Sequence, residues 1–118
     1  YARIRKQLLG LPGATEETPF GPDALVYKVS GKMYAILSQD QQYANVSLKV
    51  DPLEGEALRE TWPAITPGYH LNKRHWITAS VDGSLPDDLI DDLMGDSYAL
   101  VVKGLTRAAR EALVMGDG

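Results

Sequence analysis

Apolar positions along this chain change period several times, and each change marks an element. In "ARIRKQLL" (2–9), Ile4, Leu8 and Leu9 fall on one helical face, and Leu11-Pro12-Gly13 stops that helix. "GATEETPFGPD" is rich in Gly, Pro and Thr and reads as a loop. Two β-rich runs follow, "ALVYKVS" (24–30) and "MYAILS" (33–38), joined at Gly31-Lys32 as a hairpin. In "ANVSLKV" (44–50), Val46, Leu48 and Val50 alternate with Ser47 and Lys49, which predicts a strand with one buried and one wet face.

The second half alternates less cleanly. Asp51-Pro52 is an N-cap followed by a first-turn proline, opening a helix to about Trp62. Pro63 and Pro67 then break the chain. "HWITASV" (75–81) alternates as a strand, and "YHLN" (69–72) is its expected partner across Lys73-Arg74. Leu85-Pro86-Asp87 starts a helix expected to end near Met94, before Gly95. Ser97 is then the expected cap of a last helix, with Tyr98, Val101, Val102, Leu105, Ala109, Ala112 and Leu113 on its apolar face. Strands and helices are segregated, so the expected class is α+β with an antiparallel sheet packed by helices.

Length and composition narrow the class. A chain of 118 residues is expected to be a single domain over 1–118, with room for a core. It has no cysteine, which removes disulfides, thiolate metal sites and cysteine nucleophiles and fits a cytoplasmic location. No run reaches the roughly 18 apolar residues of a membrane span. The chain opens on Tyr1 rather than Met, which leaves a leader segment open.

The net charge is −4, from 16 Asp and Glu against 12 Lys and Arg. Yet no carboxylate falls between Thr61 and Val81, a window that holds Lys73, Arg74, both histidines (His70, His75) and both tryptophans (Trp62, Trp76). Two histidines five apart on one strand point to opposite faces, so a shared metal is disfavoured. A small-ligand pocket around Tyr69, His70, Asn72 and His75 is an alternative use of the window.

A second cluster is acidic. Asp87, Asp88, Asp91 and Asp92 lie at helical spacing within 87–96 and can gather a hard cation or face a protein partner. Carboxylates in a first turn also simply complement the helix dipole. No G-x-S-x-G elbow and no glycine-rich phosphate loop occurs, so no nucleophile–base pair can be named; the expectation is a non-enzyme without a cofactor.

The third pattern is basic. Lys28, Lys32, Lys49, Lys73 and Arg74 fall on or between strands, where Lys and Arg at hairpin tips can neutralise phosphates. Trp76, Tyr34 or Tyr69 can stack on exposed bases. The competing reading is a wet sheet face with edge lysines that block aggregation.

Beyond these patterns, "LPGATEETPFG" (11–21), "YKVSGKMYAIL" (27–37), "VSLKVDP" (46–52), "PGYHLNKRHWITASVDGSLP" (67–86) and "SYALVVKGL" (97–105) together resemble the MmcQ/YjbR family. The resemblance runs from about Leu8 to Leu113. It implies a CyaY-like, frataxin-related α+β fold and DNA binding through a double-wing motif, with no defining catalytic residues. Lys28, Gly31, Lys32, Lys49, Pro67, Gly68, Tyr69, Asn72, Lys73, His75 and Trp76 match as they stand. On this reading Lys28, Lys32, Lys49, Lys73 and Arg74, with His75 and Trp76, are the DNA-contacting residues. Frataxins bind iron through acidic surfaces, so Asp87, Asp88, Asp91 and Asp92 are the rival site.

Overall fold

The computed structural model describes residues 1–39, 42–68 and 71–116. The elements run α1 (Ala2–Leu9), β1 (Ala14–Glu17), β2 (Ala24–Val29), β3 (Lys32–Gln39), β4 (Ala44–Lys49), α2 (Pro52–Thr61), β5 (Ile65–Pro67), β6 (Trp76–Val81), α3 (Asp87–Lys103) and α4 (Arg107–Gly116). The strands form one antiparallel sheet in the order β1-β2-β3-β4-β6-β5. The class is therefore α+β, as the segregated pattern predicts.

The helices and the sheet share one core. Leu25, Tyr27 and Val29 of β2, Leu37 of β3, Val46 and Leu48 of β4, and Ile77 and Ala79 of β6 face Ile4 and Leu8 of α1 and Ile90, Leu93, Met94 and Val101 of α3. The period of two on each strand sends the intervening side chains to the opposite face. Asp51 caps α2 as its sequence predicts, accepting from the amides of Leu53 and Glu54.

Four departures from the sequence pattern have physical causes. The Gly/Thr-rich segment expected as loop contains β1, an edge strand that pairs Ala14–Glu17 with Val26–Val29. The hairpin turns at Ser30-Gly31, both with positive φ, so Lys32 is already the first residue of β3. The partner of β6 is Ile65–Pro67 rather than 69–72, of which Tyr69 and His70 lie outside the described residues while Leu71 and Asn72 lie in the connection. Finally, α3 runs through Gly95 without interruption, and the break comes at Gly104, after which Thr106 Oγ1 accepts from the Ala109 amide at the start of α4.

Ser97 explains the long helix. It is fully buried in the middle of α3, not at a cap. Its Oγ donates to the Tyr34 carbonyl at 2.6 Å and accepts from the Lys49 amide at 2.8 Å. Tyr34 is the extra residue of a β-bulge, since Tyr27 pairs with Ala35 and Lys28 with Met33. The bulge turns Tyr34 into the core, where its hydroxyl donates to the Leu8 carbonyl at 2.7 Å and its ring meets Tyr98 edge-on at 5.3 Å. One serine thus ties α3 to β3 and β4 where the ladder is irregular.

Candidate nucleic-acid interface

Strand direction decides where the basic residues lie. β2 runs toward one end of the sheet and turns there at Ser30-Gly31; β4 ends there and β6 begins there. Lys28 and Lys32 flank the first turn, and Lys49 closes β4. Lys73, Arg74 and His75 lie in the connection entering β6. Five cations separated by up to 46 positions (from Lys28 to Arg74) therefore gather at one end of the sheet. Lys28 and Lys49 are two strands apart, about 10 Å at the usual interstrand spacing.

The Lys73-Arg74 tip is built by local hydrogen bonds. The Asn72 side-chain oxygen accepts from the Arg74 amide at 2.9 Å and the His75 amide at 3.3 Å, an Asx-type turn. The Val50 amide donates to the His75 carbonyl at 2.8 Å, which fastens the tip to the end of β4. Lys73 Nζ reaches back to the Gly68 carbonyl at 3.4 Å, while Arg74 and His75 are exposed. Lys28 is half-buried and paired with Glu17 at 2.9 Å, so it brings less free charge than Lys32. Asp51 also stands at this end, on the helical side after β4.

The aromatic residues named from sequence have a different role. Trp76 is 9% exposed and Tyr34 is fully buried, so neither offers a ring to a base. Gly68 extends the β5–β6 pairing beside Trp76: its amide donates to the Trp76 carbonyl at 2.9 Å, and a Cβ there would come within 2.6 Å of the Trp76 Cβ. Tyr69 and His70 lie outside the described residues, so the pocket expected around Tyr69, His70 and His75 has no described geometry.

The acidic cluster sits at the opposite end. α3 starts after β6 has crossed the sheet, which places Asp87, Asp88, Asp91 and Asp92 far from the basic tips along the strand direction. Asp23, just before β2, and Asp82, just after β6, lie at that end too. These carboxylates thus lie away from the basic tips, whereas Asp51 at the start of α2 and Asp96, next to Ser97, lie toward the basic end. Arg3 of α1 engages Asp91 at 2.8 Å and Asp87 at 3.5 Å; its hydrogen bond to Asp91 raises its pKa. No group of three or more potential metal ligands comes together among the described residues.

A concavity that the sequence pattern did not signal lies on the helix-free face of the sheet. It encloses about 870 Å³ between the loop carrying Phe20 and the loop carrying Leu71. Met33 and Ile36 supply its apolar floor, and hydroxyls of β4, β5 and β6 line one side. Ser47 Oγ and Thr78 Oγ1 are 2.9 Å apart, and Ser80 Oγ donates to Asn45 Oδ1 at 3.1 Å. The period-two reading expected Ser47 on a wet face, yet it is 8% exposed, a small side chain on a central strand between Ile36 and Thr78.

The match to known proteins covers most of this architecture. A family model described as YjbR matches residues 9–100. The chain belongs to the YjbR family. The uncharacterized protein YjbR of Escherichia coli strain K12 is 37% identical over 113 residues, covering 96% of each chain. The uncharacterized protein YbdF of Escherichia coli O157:H7 is 36% identical over 107 residues, 91% of this chain and 88% of that one. Among solved structures, Deinococcus radiodurans protein DR2400, a DUF419 domain, superposes with a TM-score of 0.88 at 43% identity, covering 95% of this chain and 86% of its own. A Pseudomonas syringae protein gives a TM-score of 0.73 at 30% identity, over 84% of this chain and 96% of its own. YjbR membership brings the fold with it, and the relatives' names carry no activity. No described helix of this YjbR chain is long and apolar enough to cross a membrane.

Proposed function

We propose that this YjbR-family chain is a non-enzymatic, cytoplasmic binding module that contacts DNA through the basic end of its sheet. The observation that carries this reading is the gathering of Lys28, Lys32, Lys49, Lys73 and Arg74 at one end, with Asp87, Asp88, Asp91 and Asp92 at the other. Phosphates respond to local potential, so an acidic total does not oppose binding at a segregated basic rim. The hairpin tip at Lys32 and the Lys73-Arg74 tip act as two wings along the phosphate backbone. Lys32, Lys73 and Arg74 carry most of the free charge, because Lys28 is held by Glu17.

The test is a salt series with a DNA duplex read by fluorescence anisotropy. The logarithm of affinity falls linearly with the logarithm of salt, and combining Lys73→Ala with Arg74→Ala lowers the slope by about 1.8, from about 0.9 per phosphate contact. Absence of binding at low salt, or an unchanged slope in the double variant, overturns the reading.

A further inference from the structure

We infer that the helix-free concavity of the sheet is a seat for an unpaired nucleobase, so that the preferred ligand is single-stranded nucleic acid. This rests on the phosphate-binding reading above and adds a base site to it. Three observations carry it. First, the concavity has a mixed lining suited to a flat heteroaromatic ring: Met33 and Ile36 form an apolar floor, while the Ser47–Thr78 and Asn45–Ser80 pairs present hydroxyl and amide groups that can both donate and accept.

Second, an exposed aromatic ring stands at the rim. Phe20 is 76% exposed and belongs to the lining of the concavity, so its ring is open to a guest seated there. It lies in the segment Thr18-Pro19-Phe20-Gly21-Pro22, where the Gly21 amide donates to the Thr18 carbonyl at 3.2 Å. Pro19 and Pro22 stiffen this turn, so little conformational freedom is lost when the ring stacks on a guest. Aromatic side chains beside a groove are the usual platforms for unpaired bases, because every base offers a π face.

Third, charge is arranged for a nucleotide chain. Among the described residues of the lining Asp23 is the one carboxylate, and it lies at the end away from the cations. Met33 pairs with Lys28, and Leu71 belongs to the connection that carries Lys73 and Arg74, so the other end of the concavity opens on the basic rim. A strand whose base enters the concavity thus leaves its phosphates beside the lysines. A duplex keeps its bases paired and presents only the phosphates.

The experiment measures anisotropy of a labelled oligothymidylate of about twelve nucleotides and of an abasic strand of the same length. The expected result is tighter binding of the base-bearing strand. Phe20→Ala weakens that strand about fivefold or more and leaves the abasic strand unchanged, and Phe20→Trp restores binding. Phe20 is exposed, so its replacement leaves the core intact. Equal affinity for the two strands, or an unaffected Phe20→Ala, overturns the base site and leaves the phosphate reading standing. Binding neither to these strands nor to the duplex at low salt overturns both.

Discussion

Ser97→Ala removes one oxygen and breaks two interelement contacts. In the native fold that oxygen is fully buried and bridges the Tyr34 carbonyl, at 2.6 Å, and the Lys49 amide, at 2.8 Å. Alanine fits the helix and leaves a small void, so helix propensity does not oppose the change. The cost comes from a carbonyl and an amide left facing an apolar surface. Each such group costs about 1–3 kcal/mol when buried without a partner, and losing the hydroxyl's own desolvation returns part of this, for a net loss of about 2–4 kcal/mol. For a domain of this size that corresponds to a melting temperature lower by about 8–16 °C. Urea unfolding followed by far-ultraviolet circular dichroism measures it as a lower midpoint with an unchanged slope. Ser84→Ala is the matched control: its exposed hydroxyl bonds Asp82 at 2.6 Å, and its removal shifts stability by no more than about 0.5 kcal/mol. If the two variants lose equal stability, the serine bridge does not hold the bulge and the reasoning fails.

Other outcomes follow from the same contacts. Glu16 accepts from Arg5 at 2.8 and 2.9 Å and from the Tyr27 hydroxyl at 2.7 Å, and the Arg5 hydrogen bond foremost holds its pKa below the ordinary carboxylate range. Its folded pKa is depressed, so its contribution is complete above the unfolded value of about 4.3 and disappears as pH falls through the lower folded value. The midpoint gap between wild type and Glu16→Gln should therefore close on acidification, and a gap that is constant from neutral pH to acid would sink this account. Gly68→Ala places a Cβ 2.6 Å from the Trp76 Cβ and 3.1 Å from its carbonyl oxygen, atoms that cannot swing aside, and should cost about 1–3 kcal/mol and weaken DNA binding by displacing the basic tip; wild-type stability in that variant would refute the close packing. Millimolar Ca²⁺ or Fe²⁺ should leave the melting temperature unchanged, because Arg3 already engages Asp87 and Asp91. A rise of several degrees that Asp88→Asn abolishes would restore the acidic helix as a metal site.

The sequence by itself determined the elements whose signals are local. α1, the β2–β3 hairpin, β4, the Asp51-Pro52 helix start and β6 all appear where periodicity and capping put them. Each depends on residues within a few positions of one another, so a linear pattern carries it. The α+β class follows from their order, and the basic residues of the candidate interface were visible as residue types. Tertiary structure decided the rest. β1 has the composition of a loop and becomes a strand because β2 offers an unpaired edge. Gly95 reads as a helix end, but packing of α3 against β3 and β4 and the Ser97 bridge outweigh a local penalty of about 1 kcal/mol. β5 is three residues long, below the length at which alternation can be recognised, and is defined only by its pairing with β6. Trp76 has the residue type of a stacking platform, but the fold buries it, while Phe20, in a segment that reads as loop, lines the concavity of the sheet. The clustering of Lys28, Lys32, Lys49, Lys73 and Arg74 is likewise a property of strand direction. A charge is written in the sequence, but the potential it makes depends on which other charges the fold brings beside it.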